Sequence, residues 1–266
     1  MVAPRFAYPS RKLRVLCVHG FRTNAKVMKG QTAGLRRALG PNVEYAFLNA
    51  PFLARGPPNE LVLQLHGKDA PFYEWWQSRY LHNDAVADKI VDIMSGAQDT
   101  WNLRFEDLDR SLLYMEKQLQ QLGPFDLAVG FSQGATMLTI FSMWSLQRRK
   151  MQWWRLTVCV SGVRVHAANC RHLFETADGR PKLVAIPSIH VAGTSDSICY
   201  ETYKLAEMYE TRVKGSPLIK TMLEHDGGHR FPAPRKHKEL YAKIGHLVQQ
   251  FFHYSDAARL GFIARL

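Results

Sequence analysis

The sequence is poor in the features that define several protein classes. It holds four cysteines in 266 residues (Cys17, Cys159, Cys170 and Cys199), none in a Cys-x-x-Cys pair. That excludes a disulfide-stapled scaffold and the common thiolate metal sites. Cys17 and Cys159 fall in predicted strands, so buried reduced thiols are expected. No apolar run approaches the roughly 18 residues that a membrane span requires. Nor does Met1 to Tyr8 hold a continuous hydrophobic segment ahead of Arg11-Lys12, so no secretory signal is expected. Asn-x-Ser/Thr is missing too, in keeping with a cytoplasmic address. Without His-Glu-x-x-His, Gly-x-Gly-x-x-Gly or a phosphate-cradling loop, no metal or cofactor is called for.

Acidic residues are also scarce: 23 against 35 basic ones, a net charge of +12. Such a surplus favours anionic partners. The basic clusters are Arg11-Lys12-x-Arg14, Arg148-Arg149-Lys150 and Arg235-Lys236-His237-Lys238. Each sits at the end of a predicted element, where a solvated face is the ordinary reading. No nucleic-acid-binding module accompanies them, which argues against nucleic acid as the main partner.

What is present centres on Gly130-Phe131-Ser132-Gln133-Gly134. An apolar run (Phe125, Leu127, Ala128, Val129) stops there and a helical pattern starts (Ala135, Met137, Leu138, Ile140, Phe141). This is the strand-turn-helix setting of a nucleophile elbow, with a serine held on a tight turn. A serine nucleophile needs a base and a carboxylate to orient it. Downstream, a β-rich run from Ile186 ends in Gly193 and is followed by Asp196. Another candidate strand, Ile219 to Leu223, precedes Glu224-His225-Asp226-Gly227-Gly228-His229. The order serine, acid, histidine is that of an α/β-hydrolase. Ser132, Asp196 and His229 are therefore the candidate triad. His225 stays open as an alternative base, and Asp226 or Glu224 as an alternative acid. Two backbone N–H groups should hold the oxyanion. Gln133 supplies one at a helix N-terminus; Phe21, after the β-like run Arg14 to Val18 and His19-Gly20, is the candidate for the other.

These motifs resemble the FSH-type serine hydrolase family of the α/β-hydrolase superfamily. The matching residues are Leu16 to Phe21, Phe47 to Pro51, Trp75-Trp76, Gly130 to Ala135, Val160 to Gly162, His190 to Asp196 and Gly227 to His229. They run in order over nearly the whole chain. The resemblance implies an α/β-hydrolase fold, a triad of Ser132, Asp196 and His229, and metal-free hydrolysis of acyl esters or thioesters. One departure is the acid loop, Gly193-Thr194-Ser195-Asp196, where the family more often has a charged residue before the aspartate.

The wider pattern alternates strands and helices, as in a mostly parallel sheet covered on both faces. Helices are predicted over 24–39, 105–122, 199–213 and 236–253, and after Ser132. Val43 to Leu48 and Leu156 to Val160 are predicted strands. Residues 1–266 are read as a single domain. Residues 52–104 are too long for an ordinary connection of about 4–6 residues. They are read as a lid-like insertion, with Tyr73, Trp75 and Trp76 facing an apolar substrate and a lesser case for Trp101. The expected substrate is a small-molecule ester of an apolar acyl chain. A thioester on an anionic carrier, coenzyme A or an acyl-carrier protein, is the alternative; a catalytically silent binding protein is the alternative of another class. The final Ala264-Arg265-Leu266 resembles a peroxisomal address.

Overall fold

The computed structural model describes residues 11–87 and 101–263, with side chains through Tyr254. The first ten residues, residues 88–100 of the insertion and Ala264-Arg265-Leu266 lie outside the described residues, and so do the readings that rest on them.

Strand β1 (Leu13–Val18) leads through α1 (Ala25–Gln31) and α2 (Ala33–Leu39) to β2 (Val43–Leu48). The predicted helix over 24–39 is thus two. At the break, Thr32 donates its hydroxyl and its N–H back to the Met28 carbonyl, at 2.9 and 3.0 Å. Such side-chain back-bonding competes with continued helix. The insertion then contributes β3 (Phe52–Leu53), α3 (Glu60–His66), β4 (Tyr73–Glu74), β5 (Gln77–Tyr80) and β6 (Leu103–Glu106). Next come α4 (Leu108–Leu122), β7 (Leu127–Phe131), α5 (Gln133–Arg149) and β8 (Leu156–Val160). The chain closes with α6 (Arg171–Phe174), β9 (Ser188–Gly193), α7 (Cys199–Glu207), β10 (Thr221–His225) and α8 (Lys238–Ile263).

The fold is that of an α/β-hydrolase. Six strands form one sheet in the order β10-β9-β8-β7-β1-β2, each pairing parallel. Every residue of β7, β8 and β9 is buried, as expected of parallel strands covered on both faces. Alternate residues of β1 feed two cores. Leu16 and Val18 pack with Met137 and Leu138 of α5 on one side. Leu13, Val15 and Cys17 pack with Tyr241 and Ile244 of α8 on the other.

Several boundaries move from their predicted positions for physical reasons. Residues 103–106 pair with β5 instead of joining α4, whose preceding residue, Asp107, takes a left-handed φ of 58°. Helix α7 stops at Glu207, short of the predicted 213. Tyr209 turns into the core there, its hydroxyl 2.9 Å from that of Thr139, and its backbone bridges Val184. Helix α5 is buried all round from Gln133 to Ser145, consistent with its apolar sequence.

Candidate active site

The sheet is built outward in two directions from the β1–β7 pair. The chain leaves β1 toward β2 on one side, then returns at β7 on the other. Loops leaving the carboxyl ends of such a pair diverge and open a crevice. The β1–β2 connection begins with His19-Gly20-Phe21, and the β7–α5 connection is Ser132 itself. Val18 pairs with Gly130, so both loops start at the same level.

Ser132 has φ 51° and ψ −121°, a strained conformation for a residue with a side chain. The surrounding backbone forces it. A Cβ on Gly130 would lie 2.6 Å from Ala135 Cα, and one on Gly134 would strike the carbonyls of Val18 and His19. Glycine at both positions lets strand and helix meet with one residue between them.

His229 Nε2 lies 2.8 Å from Ser132 Oγ, and its Nδ1 lies 2.7 Å from Asp196 Oδ2. With the proton on Nδ1, the ring donates to the carboxylate and accepts from the serine hydroxyl. The other Asp196 oxygen accepts the Ile198 N–H at 3.0 Å. The acid and base loops are also tied to each other. Thr194 N–H donates to the His225 carbonyl at 2.7 Å, Ser195 N–H to the Gly227 carbonyl at 3.1 Å, and the Ser195 hydroxyl to the Asp226 carbonyl at 2.9 Å. Ser195 therefore braces the histidine loop.

The open alternatives point elsewhere. His225 Nδ1 accepts the Gly227 N–H at 3.1 Å, and burial lowers its pKa. Asp226 pairs with Lys236 and His237; hydrogen bonds from Lys236 and His237 pull its pKa down to about 2. Glu224 accepts the Tyr203 hydroxyl at 2.6 Å.

The Phe21 loop is held by contacts among residues of four separate motifs, Leu16 to Phe21, Phe47 to Pro51, Trp75-Trp76 and Gly130 to Ala135. His19 is fully buried, and desolvation lowers its pKa to about 4, so the ring is neutral at pH 7. Its Nε2 accepts the Ala50 N–H at 3.0 Å, and its Nδ1 donates to the Gly20 carbonyl at 2.7 Å. Trp75 Nε1 donates to the His19 carbonyl at 3.0 Å. Gln133 then clasps the insertion: its Oε1 accepts the Trp75 N–H at 3.1 Å, and its Nε2 donates to the Trp76 carbonyl at 3.0 Å. Gln133 N–H is the first of α5, so it has no acceptor within the helix.

Phe21, Ser132 and Gln133 border a cavity of about 510 Å³ of empty space, part of it open to solvent. Trp76, Ala87, Leu103, Phe105 and Val163 form its apolar wall. Trp76 stacks on Phe105 with ring centroids 4.5 Å apart. The expectation for the other aromatics is corrected. Trp75 is fully buried beneath the oxyanion-loop candidate and is not among the residues lining the cavity. Tyr73 serves through its backbone, donating to the Thr23 carbonyl at 2.7 Å. Trp101 lies apart and donates Nε1 to Glu175 at 2.8 Å. The spacing Tyr73-x-Trp75-Trp76 marks exposure poorly because the segment is an irregular edge, not a strand with one solvent face.

All four cysteines are unpaired, three of them buried. Among the described residues no His/Cys/Asp/Glu cluster could hold a metal ion, and no helix is long and apolar enough to cross a membrane. Each of the three basic clusters is partly neutralised locally, by the Arg11–Asp126, Arg149–Glu116 and Lys236–Asp226 pairs.

A sequence model for the serine hydrolase (FSH1) family matches residues 9–241. Esterase OVCA2 of Danio rerio is 27% identical over 238 residues, 86% of this chain and 94% of that protein. Esterase OVCA2 of Homo sapiens is 28% identical over 241 residues, 88% and 96% of the two chains. Among solved structures, acyl-protein thioesterase 2 of Zea mays superposes with a TM-score of 0.53 at 17% identity, covering 93% of this chain and 97% of that one. Esterase PE8 gives 0.52 at 18% identity, covering 91% and 93%. At these identities the structural likeness speaks to the fold alone.

Proposed function

This chain belongs to the serine hydrolase (FSH1) family, and on that premise we propose that it cleaves carboxylic esters of apolar acyl chains through an acyl-enzyme on Ser132. Hydrolysis of the ester or thioester type is what the family and its esterase relatives support. The observation that carries the finer reading is the unbroken hydrogen-bonded line from Ser132 through His229 to Asp196. It opens on a cavity whose wall is mainly apolar.

In the first half-reaction His229 Nε2 takes the hydroxyl proton as Ser132 Oγ bonds to the acyl carbon, and the carbonyl electron pair moves onto oxygen. The N–H groups of Gln133 and Phe21 receive that oxyanion. Asp196 keeps the ring in its Nδ1–H tautomer and stabilises the imidazolium. Collapse breaks the bond to the alcohol oxygen or thiol sulfur, which leaves with the Nε2 proton. Water then attacks the acyl-enzyme by the same route, releasing the acid and restoring the serine.

A thioester would pass through identical steps, and the basic surface suits an anionic carrier such as coenzyme A or an acyl-carrier protein. The silent binding protein requires a triad that fails to align, which the 2.7 and 2.8 Å contacts argue against. The test is labelling by a fluorescent fluorophosphonate. Wild type should label, Ser132→Ala should not, and His229→Ala should label far more slowly. Folded wild type that resists the probe would sink the proposal. Matched oxygen and sulfur esters of one acyl group then separate esterase from thioesterase.

A further inference from the structure

The N–H groups of Phe21 and Gln133 come from segments far apart in the chain, yet both are gauged against one short stretch of the insertion, Tyr73 to Trp76. From one side Gln133 grips the backbone of Trp75 and Trp76. From the other, the Phe21 loop is tied to the same stretch at successive points. Trp75 Nε1 donates to the His19 carbonyl at 3.0 Å, and Tyr73 N–H donates to the Thr23 carbonyl at 2.7 Å. Between them Arg22 Nε donates to Glu74 Oε2 at 3.3 Å. Both side chains of that ion pair are buried, Glu74 fully and Arg22 to 5% exposure.

Two features of Arg22 are unfavourable taken alone. A guanidinium and a carboxylate removed from water are compensated only where their contacts are good, and apolar residues would often be as stable. Arg22 also sits at φ 50°, a left-handed backbone that glycine adopts freely and a long side chain does not. Glycine would serve the turn by itself, so the side chain matters through what it holds. Its guanidinium lies 4.6 Å from the centre of the Phe21 ring, and Nη1 donates to the Pro57 carbonyl at 3.2 Å. A Cβ on Gly56 would strike that guanidinium, so the insertion leaves room for it. Arg55 flanks the carboxylate as well, its Nε 3.3 Å from Glu74 Oε1. The backbone held in this way is the one beside the nucleophile: a Cβ on Gly20 would lie 3.3 Å from Ser132 Cβ. The Phe21 N–H meets no acceptor among the described residues.

We propose that Arg22, gripped by Glu74, is a positioning residue for the hydrolysis: it holds the Gly20–Phe21 peptide against Ser132 so that the Phe21 N–H meets the oxyanion. This rests on the serine-hydrolase reading and names what supports its second oxyanion donor. A support of this kind acts on the transition state and leaves ground-state binding alone.

The test is hydrolysis of p-nitrophenyl butyrate by Arg22→Met, Arg22→Lys, Glu74→Gln and the pair Arg22→Met with Glu74→Gln. Turnover is counted per site that a fluorophosphonate labels at completion, which removes any unfolded fraction. For Arg22→Met, kcat should fall roughly 10- to 100-fold, the scale of a misplaced oxyanion donor, with KM held within about twofold. Binding of a trifluoromethyl ketone, which Ser132 converts to a hemiketal bearing the oxyanion, should weaken by the same factor. Arg22→Lys keeps a donor toward Glu74 and should lose less. The paired variant should lose no more than the worse single one, because both act through one contact. If Arg22→Met does not fold, Arg22→Lys and Glu74→Gln are read for the same split between kcat and KM. A pair that only stabilises the fold would lower the urea midpoint and leave kcat per labelled site unchanged, which would overturn the proposal. So would a loss confined to KM, ketone binding that does not follow kcat, or losses that multiply in the paired variant. Wild type that never labels would instead overturn the serine-hydrolase reading beneath it.

Discussion

The His229–Asp196 and His166–Glu201 pairs differ in what stands on the far side of the ring. His229 pairs with Asp196 at 2.7 Å and His166 with Glu201 at 2.8 Å, each with a nearly or fully buried carboxylate. The His229 ring is 23% exposed and its second nitrogen meets a hydroxyl on a strained turn. The His166 ring is 2% exposed, and its second nitrogen meets nothing among the described residues. An arginine also shares the Glu201 oxygen, whereas Asp196 takes its second hydrogen bond from a backbone N–H. In the proposed mechanism the same pair of functional groups is a proton relay in one place, whereas in the other it is part of a buried polar cluster. A nucleophile within reach and access to solvent make the difference, not the pair itself.

The sharpest way to break that contrast is to damage each pair in turn. Ser132→Ala should lower kcat by roughly 10⁶-fold and Asp196→Asn by roughly 10⁴-fold, with the fold intact by circular dichroism. Activity surviving Asp196→Asn would remove His229–Asp196 from the relay. At the other pair the loss should appear as stability. Glu201→Ala removes the buried carboxylate shared by Arg164 and His166 and should cost about 3–5 kcal/mol in urea unfolding; a cost below about 1 kcal/mol would show that the cluster is not a structural pair.

Histidines with no carboxylate partner extend the comparison. Desolvation lowers His19 to about 4 and His190 to about 3. The unfolded chain therefore binds more protons than the native one between the folded value and the ordinary 6.5. Stability from His19 is fully present above pH 6.5 and is lost as pH falls through about 4, by about 3 kcal/mol in total. Urea unfolding at pH 7 and pH 4.5 measures it, and a flat profile would contradict the burial of these rings. Another break in the comparison is Gln133→Leu. It unpairs the Trp75 N–H and the Trp76 carbonyl, at about 1–3 kcal/mol for each buried group left unsatisfied. Labelling of Ser132 should slow as the insertion loosens from the elbow. Unchanged labelling with lowered stability would confine the clasp to a structural role.

The elbow was legible because its constraints are local. Glycine on both sides of Ser132 reflects backbone contacts within a few residues and with β1, and the order of Ser132, Asp196 and His229 follows the order of strand ends. Strand Leu156–Val160 read correctly because burial on both faces demands a continuous apolar, β-branched run, whereas Val43–Leu48 is a half-buried edge strand in which only Leu48 is buried. The roles of the tryptophans were not legible. Composition says that Trp75 and Trp76 are buried somewhere, but which one lines a cavity depends on the Gln133 clasp, 57 residues or more away in sequence. Helix α7 ended early for a similar reason, since Tyr209 answers to Thr139 in α5.

By itself, then, the sequence determined the hydrolase framework, the nucleophile with its surrounding turn, and the order in which acid and base arrive. Those features depend on hydrophobic period, glycine placement and chain order, which short-range sterics and burial turn into structure directly. The tertiary structure alone decided which of His225 and His229 reaches Ser132, and which of Trp75 and Trp76 faces the cavity. It also brought Arg164, His166 and Glu201, from two separate segments, onto one carboxylate oxygen. These depend on side-chain contacts between segments far apart in the chain, whose geometry exists only once the sheet has brought its strand ends together.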